Sequence, residues 1–272
     1  MTQTLNAPTT GIAPKARHST VALAVSDCLV LLGRGLRHVL RDPQQLFQAV
    51  SLPIIMLLLF RYLLGGAIQT GQTYVDYVVA GLLVISMAFN STSTVIAVTD
   101  DMRNGIVERL RSMPILPGAV LVGHVISAVL RSFLSVAVMV LFGLVVGFRP
   151  HADFVDWLGA LGILLLFITA VSWIAVLLGL IAKTPEGASG LGMILVFIPY
   201  ASSALVPVST MAPGLRTVVR YQPVTPVIDT VRALLTGTPL GNSGWIALVW
   251  WLVILAVAVP LALRRFKRRL SI

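Results

Sequence analysis

Six long apolar runs order the chain, separated by short polar segments: about Leu46 to Leu64, Asp76 to Val98, Ala119 to Val146, Trp157 to Ala182, Ala188 to Val206 and Trp245 to Leu263. Each is close to or beyond the ~20 residues that cross a bilayer as helix. Gly65-Gly66 closes the first run, and Arg264, Arg265, Lys267, Arg268 and Arg269 follow the last as a basic stop. The pattern predicts an all-α membrane protein with six transmembrane helices. A soluble domain cannot hide that many fully apolar helices.

The flanks read differently. Residues 1–20 are rich in Thr, Pro and Ala and predict a disordered cytoplasmic tail. Residues 21–43 predict an amphipathic helix: Arg34, Arg37, His38 and Arg41 share one face, while Leu29, Leu32, Leu36 and Val39 line another. Such a helix suits the membrane interface, cations toward lipid phosphates, and equally a cytoplasmic extension of the first span. Asp42-Pro43 breaks it. The membrane domain then covers 44–263, and 264–272 form a basic cytoplasmic tail.

Composition supports this reading. The chain is 57% hydrophobic and 11% charged, with a mean hydropathy of +0.93, against roughly 25% charged in soluble domains. The net charge of +10 would suit nucleic acid, but the cations flank apolar spans, which points to anionic lipid instead. With both termini in the cytoplasm, fourteen of the 20 Lys and Arg residues fall on inner segments, as the positive-inside rule requires. The single cysteine, Cys28, forms no intrachain disulfide. His18, His38, His124 and His151 are scattered and imply no metal site.

Two segments carry more information. Between spans two and three, residues 99–117 read as one short inner-loop helix. Thr99 or Asp100 can cap its first turn, Asp100 and Asp101 suit the positive end of its dipole, and Arg109 and Arg111 the negative end. Pro114 and Pro117 stop it. A capped, charged helix between two spans suits docking to a cytoplasmic partner; a plain solvated loop helix has the same features. Before span six, Pro213, Pro223 and Pro226 forbid one continuous helix across 211–237. Two apolar pieces, roughly 215–221 and 227–235, are too short to span. A turn at Gln222–Pro226 would join them, and Asp229 and Arg232, three residues apart, can pair on the second. A plain extracellular loop is the alternative.

The first segment resembles the signature of type-2 ABC transporter permeases, in which an acidic residue, a glycine, a second acidic residue, a leucine and a proline recur in order. Asp101, Gly105, Glu108, Leu110 and Pro114 match here. Asp101 replaces the usual Glu, and Ile106 a common Thr. The run from Met211 to Gly237, with Gln222, Pro223, Thr225 and Pro226, resembles the outer segment of the same family, particularly its daunorubicin-resistance membrane subunits. The resemblance implies a coupling helix that includes Asp100, Asp101, Arg103, Gly105, Glu108, Arg109, Leu110, Arg111 and Pro114. It also implies a re-entrant helical pair in the outer leaflet, with Pro213, Gln222, Pro223, Thr225, Pro226, Asp229 and Arg232. Two copies of an ATP-binding cassette ATPase subunit would be its partners, with a second permease copy or close relative, in a bacterial inner membrane.

The sequence has three lysines and no P-loop glycine pattern before Lys183-Thr184. ATP and Mg are therefore expected on the partner, with no cofactor and no catalytic site in this chain. Arg61, Asn90 and Arg131 are the candidate polar sites within spans. Arg61 can snorkel to the outer headgroups, Arg131 toward the inner interface, and Asn90 opens a polar run through Thr94 that suits helix packing or a substrate-facing stripe. Gly143 and Gly147 form a GxxxG. The resulting expectation is an exporter of an amphiphile such as a drug, antibiotic or lipid. The rivals are a membrane-embedded lipid-modifying enzyme, for which no convergent polar groups are found, and an ion-coupled secondary transporter, which would need carboxylates inside broken helices.

Overall fold

The computed structural model describes residues 43–64, 73–105 and 118–270. Every regular element among them is helical. In chain order these are α1 (Pro43–Leu59), running straight into a π-helical turn (Phe60–Leu64), α2 (Tyr74–Arg103), α3 (Gly118–Val146), α4 (Phe154–Ile181), α5 (Pro185–Tyr200), a 3-10 turn (Val208–Thr210), α6 (Pro213–Tyr221), α7 (Val224–Thr236) and α8 (Ser243–Leu270).

Four helices, α2, α3, α4 and α8, are long and apolar enough to cross a membrane. The 16 residues of α5 extend only about 24 Å, short of a ~30 Å hydrocarbon core. It ends at Tyr200, not near Val206 as the apolar run predicts. Pro199 adds no backbone donor there, and residues 201–206 turn back to pack on α2 instead.

Helix α2 is the hub, in contact with α1, α3, α4, α5 and α7. Its apolar half is buried on every side: Val75, Val78, Val79, Leu82, Leu83, Met87 and Val95 are all fully enclosed. Small residues let neighbours approach it. A Cβ on Gly81 would stand 2.3 Å from the Ala204 carbonyl oxygen, and one on Gly179 of α4 would stand 2.7 Å from that of Val95. Contact at that range brings whole backbones together, which maximises dispersion where lipid offers no hydrophobic gain.

Helix ends have local causes. Helix α4 starts with a capping box between Asp153 and Asp156, and α5 with the Thr184 hydroxyl accepting from the Gly187 N–H at 3.1 Å. Gly147, at φ +109, terminates α3, so of the GxxxG only Gly143 lies within the helix, where an added Cβ would stand 3.6 Å from Val79. Gly237, at φ +68, ends α7 in the left-handed conformation that glycine adopts without Cβ strain.

Candidate functional site

At the end of α2 the structure corrects the loop-helix reading. Thr99, Asp100, Asp101 and Arg103 do not open a new helix; they are the last turns of α2. The Thr99 hydroxyl faces the Val95 carbonyl at 2.9 Å and the Gly179 carbonyl of α4 at 3.1 Å, so it ties two helices instead of capping one. The helix stops one turn later because Gly105 takes φ +69. Carboxylates at a helix C-terminus oppose the dipole. Asp101 has a hydrogen-bond partner in His124 of α3, Nε2 to Oδ2 2.8 Å. Arg103 is exposed at the favourable end. Glu108, Arg109, Leu110, Arg111 and Pro114 lie outside the described residues, as does the amphipathic segment up to Asp42.

Asn90 is the seventeenth of 30 helical residues in α2. Opposite it, Arg131 is the fourteenth of 29 in α3, and its side chain turns to α2. Its Nη2 donates to the Asn90 carbonyl at 3.3 Å and to the Thr94 hydroxyl at 3.1 Å. Its Nε is buried with no acceptor, and so is Nδ2 of Asn90. Arg61 sits in the π-helical turn, half-buried, with Nη2 beside Gly147.

The proline-rich segment folds as two helices, with a break narrower than the prolines predict. Gln222-Pro223 alone separates α6 from α7, and Pro226 sits inside the first turn of α7, where its missing N–H would have no intrahelical acceptor anyway. Pro213 likewise opens α6. The carbonyls around the break find donors: Trp251 Nε1 of α8 reaches Pro223 O at 2.9 Å, and Gln222 Nε2 reaches Ala201 O at 2.5 Å and Thr225 Oγ1 at 3.2 Å.

Asp229 and Arg232 do pair, at 2.8 Å, and they anchor a larger network. Arg232, 9% exposed, also donates from Nε to the Tyr77 carbonyl at 3.1 Å and from Nη2 to the Ser203 carbonyl at 2.7 Å. Its guanidinium lies 3.7 Å from the Tyr77 ring centre, a cation–π contact. Ser203 Oγ donates to Asp229 Oδ1 at 2.7 Å, and the Tyr77 hydroxyl to the Ser203 carbonyl at 2.8 Å. Three elements are thus knotted together: α2, α7 and the turn after α5. Sequence reasoning missed Tyr77 and Ser203, because both meet Arg232 only across the fold.

Among the described residues no three His, Cys, Asp or Glu side chains come together as a metal site. The chemistry on offer is polar anchoring inside an apolar helical body.

Known proteins with this sequence pattern bear on what such a body does. Residues 26–236 match the ABC-2 type transporter family. The daunorubicin resistance ABC transporter permease protein DrrB1 of Streptomyces coeruleorubidus is 31% identical over 250 residues, 91% of this chain and 88% of that protein. The probable doxorubicin resistance ABC transporter permease protein DrrC of Mycobacterium tuberculosis is 25% identical over 246 residues, 89% of this chain and 88% of its own length. The match runs from before α1 to the last turn of α7, through the hub helix and through α6 and α7, and on that extent the chain belongs to the ABC-2 type transporter family.

Proposed function

We propose that this chain is the membrane-spanning permease subunit of an ATP-driven exporter, moving an amphiphilic drug, antibiotic or lipid outward on energy from separate ATPase subunits. The observation that carries the proposal is the near full-length relation to a drug-resistance permease at 31% identity. The fold is compatible with it. Helix α1 with its π turn forms a continuous helix of residues 43–64; the fifth crossing, which α5 alone is too short to make, and the cytoplasmic termini are inferred from the hydropathy pattern and the basic bias. The family relation favours an ATP-binding cassette partner, docked on the segment from Asp100 to Pro114, two ATPase copies serving two permeases. The described carboxylates other than Asp229 lie at or near helix ends, and Asp229 is neutralised by Arg232, which disfavours ion coupling through a mid-membrane acid.

The test is co-purification. A tagged permease, expressed with a candidate ATP-binding cassette ATPase subunit, should retain that subunit and stimulate its ATP turnover. Glu108→Ala and Gly105→Val should each lower retention several-fold while the permease still inserts. Gly105→Val forces a β-branched residue into φ +69, strain of at least ~1 kcal/mol, and so misdirects the chain leaving α2. Normal complex yield and normal turnover in both variants would remove the coupling role from this segment.

A further inference from the structure

A cation in the middle of an apolar helix pairs with backbone carbonyls or with a carboxylate, and only a carboxylate also neutralises it. Among the described residues Arg131 has none: the two ion pairs are Asp101 with His124 and Asp229 with Arg232. The described residues hold four buried side-chain polar atoms without a partner, Asn90 Nδ2, Arg131 Nε, Ser132 Oγ and Ser172 Oγ. All four can donate, and the first two are N–H groups that can only donate. They belong to the two residues joined by the Arg131–Asn90 hydrogen bond. What this place lacks is an acceptor, and a negative one.

The surroundings say what kind of molecule would bring it. Val138, Phe142 and Val145 follow Arg131 by seven, eleven and fourteen residues and so share its face of α3. Val138 and Phe142 are half-buried and Val145 is 82% exposed. An apolar track therefore leads away from the guanidinium along α3 for about 20 Å. We propose that Arg131, held by Thr94 and the Asn90 carbonyl, receives the acidic head group, carboxylate or phosphate, of an amphiphile carried by this permease, with its tail along Val138, Phe142 and Val145.

The inference rests on the permease reading and narrows its substrate class to acids. A carboxylate or phosphate can accept from a guanidinium fork and neutralise it. An amine repels it, and an alcohol brings no charge. The two charges meet where the dielectric is low, so attraction is strong and the burial penalty of the guanidinium is offset.

The experiment uses the purified full-length permease in a neutral detergent and three radiolabelled twelve-carbon probes: dodecyl phosphate, dodecylamine and dodecanol. Wild type should bind dodecyl phosphate at least about tenfold more tightly than dodecylamine, a difference of about 1.4 kcal/mol. Arg131→Met should abolish that preference and leave dodecanol within about twofold. Arg131→Lys keeps the charge but not the fork, and should bind dodecyl phosphate several-fold more weakly than wild type. An unchanged preference in Arg131→Met overturns the proposal. Should that variant fail to fold, Arg131→Lys and Thr94→Val carry the test, and wild-type phosphate binding in both overturns it. Native mass spectrometry separates cargo from resident lipid. Phosphatidylglycerol that stays on wild type under excess dodecyl phosphate, and is lost in Arg131→Met, would mark a lipid anchor and end the cargo assignment. Binding needs no ATPase, so an intact acid preference with no co-purifying subunit would uphold the site and remove the exporter reading.

Discussion

Two arginines stand among the apolar helices of this protein, Arg232 buried and Arg131 half-buried, and they are treated in opposite ways. Arg232 has a defined acceptor for each of its nitrogens: the Tyr77 carbonyl, the Asp229 carboxylate and the Ser203 carbonyl, with a tyrosine ring against its plane. Arg131 has acceptors at one nitrogen and an orphan at another. The first pattern makes a structural fastener, because a buried charge contributes stability only when its pairing is complete. The second leaves binding capacity unspent. The same residue type closes one region of the molecule and leaves the other able to take a ligand.

The largest effect should separate the two. Arg232→Met leaves the partly exposed Asp229 charge without its cation and takes one donor from each of the Tyr77 and Ser203 carbonyls, and is expected to cost at least about 2 kcal/mol. Arg131→Met removes a poorly compensated cation and fills its place with an apolar chain. Its cost should stay below about 1 kcal/mol, with either sign. Thermal unfolding of both variants in the same detergent measures the difference. Equal destabilisation would break the comparison, since Arg131 would then be a fastener too.

A smaller effect comes from packing around the first arginine. Ser203 presents its carbonyl to Arg232 from the turn whose next residue, Ala204, lies against Gly81. A methyl there would meet the Ala204 backbone at 2.3 Å. Gly81→Ala should therefore push the turn off α2 and cost about 1–3 kcal/mol, with part of the loss shared with Arg232→Met in a double-mutant cycle. Gly123, near the start of α3, has nothing within 4 Å of its added methyl. Gly123→Ala should stabilise by up to about 1 kcal/mol through helix propensity. If Gly81→Ala were as benign as Gly123→Ala, the turn would not be what positions Ser203.

How much of this the sequence discloses depends on range. Hydropathy alone locates α2, α3, α4 and α8, because a span of lipid-facing helix must be apolar throughout. The Asp229–Arg232 pair is legible because partners three residues apart on a helix must meet. The end of α2 is misread for a physical reason. Asp100 and Asp101 look like the start of a helix, and the His124 partner that Asp101 finds lies in another helix, 23 residues on. Pro226 looks like a breaker, yet a helix's first turn has no use for its N–H. Tyr77 lies 155 residues from Arg232, and nothing local announces that contact. Arg131 could be read as snorkelling because its neighbours in sequence do not show that the Asn90 carbonyl and the Thr94 hydroxyl are within reach.

The smallest expected effect tests whether Thr94 serves Arg131 at all. Thr94 is 2% exposed and its hydroxyl accepts from Nη2 at 3.1 Å. Thr94→Val keeps the β-branched shape and removes only the acceptor. In the wild-type background Nη2 keeps the Asn90 carbonyl alone, a loss of about 0.5–1.5 kcal/mol for a hydrogen bond to a charged donor that is only half-buried. In the Arg131→Met background no guanidinium is left to satisfy. The buried hydroxyl is then the unpaired group, and replacing it by a methyl should be neutral or slightly stabilising. The cycle built from the two single variants and the double variant should therefore show a coupling of about 0.5–1.5 kcal/mol. Identical costs in both backgrounds would mean that the hydroxyl supports α2 rather than the guanidinium. Arg131 would then be held by a single carbonyl, too loosely placed to present a fixed fork to an acid.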